Sequence, residues 1–356
     1  MIKENLIFKE DLVEGKSSYP YLTIFKKEPF RSFVLIKKRD IDSFYIGKYD
    51  EIIEFYQFFN KNLLNEKSLN LENIYWFLLL RKYLIQDNKE KRKELYDFIR
   101  KCEFSIGDKL GFKFSPYSNQ KEPDIWSTYF ALASLKLLGV LKEFVASRGQ
   151  KYVIQDVKNF ISMHNKGDIF LHCLDKNCGI CNKTSSARTL YFALESLNLL
   201  GIDTRLSKDL FRSHLSDKKR DPSIVFKLLC LKLLELDSNV KDKTLQYLHQ
   251  FQKENGGFSF KKISGRINTT FWLVYILDIY SWLLDYNPIG IYSFINYKLN
   301  EILSEYSNRS LIRMMELSKV IILLSFIWKK FINNIERVLF KQLEKEKYVD
   351  LNQIKT

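Results

Sequence analysis

Histidine is scarce in this chain: there are four in 356 residues, scattered at 164, 172, 214 and 249. Walker-type phosphate loops, dinucleotide fingerprints and nucleophile elbows are missing, which removes the common phosphate-cradle, Rossmann and hydrolase sites as readable motifs. Long apolar runs are missing too. The strongest, 271–284 with Asp278 inside it and 320–328, fall short of the roughly 20 residues a membrane span needs, so no transmembrane segment is expected. The opening MIKENLIFKED has Glu4 and Lys9 to Asp11 where a secretory leader would be apolar. Cysteine is odd in number, five in all. Together these absences predict a cytoplasmic protein with reduced thiols rather than a disulfide framework.

What is present is apolar and basic. Hydrophobic residues make up 46% and aromatics 15%, enough for a large core and too much for global disorder. The net charge of +15 suits nucleic acid, an anionic membrane surface, an acidic partner or a diphosphate-bearing substrate. Lysine-rich solvated faces account for the same charge. The basic clusters at 89–93 and 218–220 have no recognised nucleic-acid module around them.

The organising feature is an internal repeat. Residues 128–139 align with 190–201, with identity at Tyr129/Tyr191, Phe130/Phe192, Ala131/Ala193, Leu132/Leu194, Ser134/Ser196 and Leu135/Leu197, and both copies end in Leu-Leu-Gly. Each copy is apolar almost all round and stops at a glycine suited to a helix C-cap. A helix without a polar face must be buried on every side, and a repeated one implies an array whose units hide their cores against each other. Six such segments recur, at 72–85, 124–139, 186–201, 222–236, 266–284 and 310–328. Polar-faced helical candidates alternate with them at 50–64, 89–102, 141–163, 206–215, 241–253, 289–304 and 331–345. Turn residues fill the stretches 107–123, 167–183 and 255–265. Residues 1–48 lack the repeat and hold two β-rich runs, 21–25 and 32–37, that read as a small hairpin. The expected fold is all-α: an α/α toroid of about six inner and six outer helices over 49–356, behind an N-terminal extension with a β-hairpin.

These residues resemble the β subunits of protein prenyltransferases, in the wider terpenoid-cyclase superfamily. Gly111-Phe112 precedes the second apolar helix and Gly256-Gly257-Phe258 the fifth, like the family's Gly-Gly-Phe turns. Arg188-Thr189-Leu190-Tyr191-Phe192-Ala193 is similar to the family's third inner helix, and Thr270-Phe271-Trp272 to the Ser-Phe-Trp of its fifth. The resemblance covers about 70–350 as architecture, with sharp motifs on three helices. It implies a central cavity for an isoprenoid, its diphosphate or an extended peptide, and a partner subunit.

The same resemblance implies a zinc ion that activates a substrate thiol, held by an Asp, a Cys two residues later and a His on the sixth helix. Here Arg266 and Asn268 fall at the first two positions and 310–328 contains no histidine, so no catalytic zinc is expected there. The cyclases' Asp-x-Asp-Asp acid motif is also missing, since Asp40-Ile41-Asp42 runs into Ser43. Lys261, Lys262, Arg266 and Arg188 remain as candidates for holding a diphosphate or a carboxylate. Tyr129, Tyr191, Phe271 and Trp272 are candidate cavity-lining rings, unless they are plain core. The reading that follows is a prenyltransferase-like toroid, either a divergent prenyl-diphosphate transferase or a non-catalytic binding or assembly subunit.

A separate cluster, His172, Cys173, Cys178 and Cys181, places three of the five cysteines within nine residues. Cys-Gly-x-Cys can present two thiolates to one ion, so a structural zinc is expected to compete with plain reduced thiols, with His164 as another donor. Cys102 and Cys230 read as small core residues.

Overall fold

The computed structural model describes residues 21–23, 35–84, 91–166, 170–175, 186–203, 223–236, 242–261, 265–283, 286, 288–304 and 310–327. The helical candidates 206–215 and 331–345, and the side chains of Lys262, Cys178 and Cys181, lie outside them.

Two short strands, β1 (Tyr21–Thr23) and β2 (Leu35–Lys37), pair antiparallel, as the β-rich runs suggest. Helix α1 (Lys38–Asn62) follows directly, so the helical chain begins at Lys38 rather than at Tyr49. Next come α2 (Leu71–Tyr83) and α3 (Arg92–Lys101), and a hairpin of β3 (Glu103–Ile106) and β4 (Lys109–Phe112) where the sequence reading had only a loop. The remaining helices are α4 (Ile125–Leu137), α5 (Leu141–Ser147), α6 (Gln150–Met163), α7 (Ser186–Leu199), α8 (Ser223–Leu233), α9 (Asp242–His249), α10 (Ile267–Ile279), α11 (Pro288–Ser304) and α12, residues 311–327. The single polar-faced segment expected over 141–163 divides in two at Gly149, whose φ of 85° no helix accommodates.

The six apolar segments form α2, α4, α7, α8, α10 and α12, and they make a closed ring in chain order. Tyr75 of α2 meets Phe130 of α4, and Trp126 Nε1 of α4 donates to Thr189 Oγ1 of α7 at 3.3 Å. The Cys230 thiol of α8 bonds the Ala187 carbonyl of α7, and Phe226 of α8 packs on Trp272 of α10. Tyr275 of α10 stacks near Phe326 of α12. The ring closes where Asn73 Nδ2 of α2 donates to Met315 Sδ of α12 at 3.3 Å. Closure is the physical answer to helices that have no solvent face, because each apolar side finds another. Among the described residues α1, α3, α5, α6, α9 and α11 supply the polar-faced partners. No described helix is long and apolar enough to cross a membrane.

Local signals set where inner helices begin. Asn70 and Asn73 form a reciprocal capping box at the start of α2, and Asp124 caps α4 through the Ser127 amide at 2.8 Å. Two glycines let the turns before α4 and α10 lie flush on outer helices. A Cβ on Gly111 would sit 2.8 Å from the Phe160 ring of α6, and one on Gly257 would sit 2.7 Å from the Phe294 ring of α11.

Candidate functional site at the mouth of the helical ring

The turns before α4 and α10 are the same device used twice. The Phe112 amide donates to Thr128 Oγ1 at 3.1 Å, and the Phe258 amide donates to Thr270 Oγ1 at 2.9 Å. The Asp124 amide bonds the Phe112 carbonyl, and the Arg266 amide bonds the Phe258 carbonyl. Asp124 and Arg266 are therefore structural equivalents at the N-termini of two inner helices, one acidic and one basic. Asp124 is buried and turned inward. Its carboxylate accepts from the Ser127 amide and hydroxyl and from Gln120, and it faces His172 Nε2 at 3.2 Å. Burial alone would raise the Asp124 pKa, but the bonds from His172 and Ser127 outweigh it and hold the carboxyl below its ordinary value. Arg266 makes no side-chain cap and is exposed.

Arg266 lines a cleft of about 420 Å³ between the start of α10 and one face of α12, together with Asn268, Lys298, Met315, Glu316 and Lys319. Lys319, only 8% exposed, donates from Nζ to Asn268 Oδ1 at 3.0 Å and lies 4.7 Å from the centroid of Trp76. Burial pulls its ammonium below the usual lysine value; Glu72 and Glu316 oppose that pull and Arg188 adds to it. Glu72 in turn accepts from Trp76 Nε1 at 3.4 Å.

Arg188 enters from the first turn of α7. Its guanidinium lies 4.0 Å from the Trp126 ring centroid, 5.5 Å from that of Phe226 and 5.7 Å from that of Phe192. Its Nε is buried without a hydrogen-bond partner among the described residues. A guanidinium with an unmet N–H, set among aromatic rings and sharing Glu72 with Lys319, has unused capacity for an anion.

Below this cation layer the rings interlock. Tyr129 stacks on Phe192 at 4.8 Å, Tyr191 and Phe226 meet Trp272, and Phe271 meets Trp76 edge-on at 5.1 Å across two non-adjacent inner helices. Phe271, Tyr129 and Tyr191 are buried, and Trp272 is half-buried.

The four basic candidates read from the sequence do not form one cluster. Arg266 lines the cleft, Arg188 is half-buried among aromatics, Lys261 is exposed and absent from the cleft lining, and Lys262 lies outside the described residues. In the cysteine loop, His172 and Cys173 are buried, with His172 facing Asp124 and Trp126. Cys178 and Cys181 lie outside the described residues. Among the described residues no three His, Cys, Asp or Glu side chains converge as metal donors would. His164 Nδ1 meets the Phe160 carbonyl at 2.8 Å, and its Nε2 is buried without a partner among the described residues.

Sequence reading missed Lys319, Glu72 and Trp126. The available signal for Lys319 was a lone lysine inside an otherwise apolar run, a residue type rarely buried without a reason.

The family model for the prenyltransferase alpha-alpha toroid domain matches residues 49–207 and 204–302. No curated protein matches the sequence.

Proposed function

The chain belongs to the prenyltransferase alpha-alpha toroid family, and from that premise we propose that it binds an anionic ligand with an apolar tail, an isoprenoid diphosphate, with the anion at the mouth of the ring and the tail among the aromatic rings. The observation that carries this reading is the half-buried Arg188 guanidinium, which is packed on Trp126 and whose buried Nε has no partner among the described residues. Burying a cation without a bonded anion is unfavourable, so such a group favours an anionic ligand that completes it. Lys319 would bring a second positive charge to the same layer and Arg266 a third at the entrance. Tyr129, Tyr191, Phe271 and Trp272 would line the tail's path.

The residues at the family's zinc position do not fit a divalent cation. Asn268 Oδ1 already accepts from an ammonium, and Arg266 stands beside it. The reading therefore contains no step in which a metal activates a thiol, and any transfer reaction would rest on Arg188, Lys319 and Arg266 stabilising a departing diphosphate.

A second reading, a non-catalytic binding or assembly subunit, is favoured by the interlocking of the axial rings, Phe271 on Trp76 above all. Calorimetric titration separates the two. Farnesyl and geranylgeranyl diphosphate should bind and their free alcohols should bind more weakly, with Arg188→Met removing the difference. Equal binding of alcohols and diphosphates would mean a cavity for neutral lipid, and no binding of either would favour the assembly subunit. A peptide carboxylate as the natural anion would show as binding of a short C-terminal peptide but not of its amide.

A further inference from the structure

The hairpin of β3 and β4 is closed by Gly107-Asp108, so Ile106 and Lys109 exchange backbone bonds and the pairing alternates back along β3. Phe104 therefore exchanges bonds with Gly111, and the Lys113 amide donates to the Cys102 carbonyl at 2.8 Å. Glu103 and Ser105 fall at the intervening positions, with their backbone N–H and C=O groups turned away from β4. Among the described residues no backbone group meets them on that side. Ser105 is exposed and Ile106 is 55% exposed. The β4 side is covered: Leu110 and Phe112 are buried, Gly111 lies against the Phe160 ring of α6, and Phe112 bridges to Asp124. The open edge of this hairpin is β3.

Cations gather at that edge, and the acids beside it are already engaged. Glu103 pairs with Arg100 Nε at 3.3 Å and with Arg148. Asp108 pairs with Lys109 at 3.4 Å and accepts from Asn159 Nδ2 at 2.9 Å. Lys101 and Lys113 have no acidic partner among the described residues. Although Lys113 follows β4, its Nζ lies 4.2 Å from the centroid of Phe104, which brings its charge over β3. Lysines at a strand edge repel another edge like themselves, and a net charge of +15 makes a second copy of this chain a poor occupant. The same charges favour an extended segment with acidic side chains, to which Phe104 and Ile106 offer apolar contact on one face.

We propose that the outer edge of β3 is a docking site for an extended, acidic segment of a partner protein, which adds as a third strand on the Glu103 and Ser105 backbone and pairs with Lys101 and Lys113. Main-chain bonds supply the affinity, and the lysines select the sequence. The site lies on the hairpin, outside the inner ring, so it holds or falls independently of the ligand read at the mouth.

The test is calorimetric titration of the full chain with three short capped peptides. One alternates glutamate and valine, one is the same peptide N-methylated at adjacent central amides so that both its edges are blocked, and one alternates lysine and valine. The first should bind, and the other two should bind at least about tenfold more weakly. Ser105→Pro removes the outward N–H and no bond to β4, and it should weaken the glutamate–valine peptide by about the same factor, as should Lys101→Glu combined with Lys113→Glu. Hydrogen exchange at the Ser105 amide should slow when that peptide is present. The methylated peptide requires no change in the protein, so the test stands even where Ser105→Pro fails to fold. Equal binding of the methylated peptide, unchanged exchange at Ser105, or no binding of the acidic peptide would overturn the proposal. An oligothymidylate that displaces the peptide through the same two lysines without slowing exchange at Ser105 would also overturn it, and would assign the surface to nucleic acid.

Discussion

The Arg188 guanidinium lies 4.0 Å from the centroid of Trp126, and its buried Nε is unbonded among the described residues. In the free protein this arrangement is a burden, because a partly desolvated charge has, among the described residues, its aromatic contacts and the pull of Glu72 to offset its lost hydration. Arg188→Met should therefore leave the melting temperature unchanged or higher, since an apolar side chain of similar length loses no hydrogen bond at Nε. The same variant should bind farnesyl diphosphate at least about tenfold more weakly. Thermal melts with and without the diphosphate check both halves, and a variant that melts lower and binds normally would contradict the assignment.

Thr128 and Thr270 should prove energetically alike. Each hydroxyl satisfies a phenylalanine amide in the turn before an inner helix, so valine at either position leaves a buried N–H unbonded. Each substitution should cost about 1–3 kcal/mol in chemical denaturation. A clear inequality between them would mean that the two turns are not the same device.

Gly257 lies against the Phe294 ring closely enough that a methyl group would overlap it. Gly257→Ala should destabilise by about 1–3 kcal/mol through overpacking. Adding Phe294→Leu should return part of the loss, a coupling that a double-mutant cycle measures.

His164 gives the chain a pH dependence. Burial lowers its pKa from 6.5 to about 4 in the folded state, despite the bond to the Phe160 carbonyl. The folded form holds the neutral ring, so its contribution is complete above pH 6.5 and declines as pH falls from 6.5 towards 4. The full span corresponds to about 3 kcal/mol. Urea midpoints at a series of pH values should show the slope, and His164→Leu should flatten it. An unchanged slope in that variant would assign the effect to other groups.

The ring itself was legible because its helices are apolar all round, and six such segments admit few arrangements other than closure. The hairpin Glu103–Ile106 with Lys109–Phe112 was not legible. Its strands are four residues each and are joined across Gly107-Asp108, which reads equally as a loop. Arg188 could be chosen from the sequence by its place before Tyr191, but its contacts with Trp126 and Phe226 join three helices, and no single-helix pattern predicts them. Lys319 is illegible for a related reason. On a helix whose every face is apolar, periodicity does not mark which face points to the axis, so one polar residue carries no direction.

The bond from Asn73 to Met315 joins the first inner helix to the last, 242 positions apart in sequence. An open solenoid can gain or lose a unit and keep a shorter stack, with only its terminal caps at risk. A ring whose seam lies between its earliest and latest members has no spare unit to give up, and deleting any helical pair leaves two apolar edges that no longer meet. Variation in this chain should therefore fall in loops and side chains, with the number of turns in the circle held fixed. The seam also cannot form until α12 is present, so a growing chain would expose the inner face of α2 until nearly all of the ring had been made.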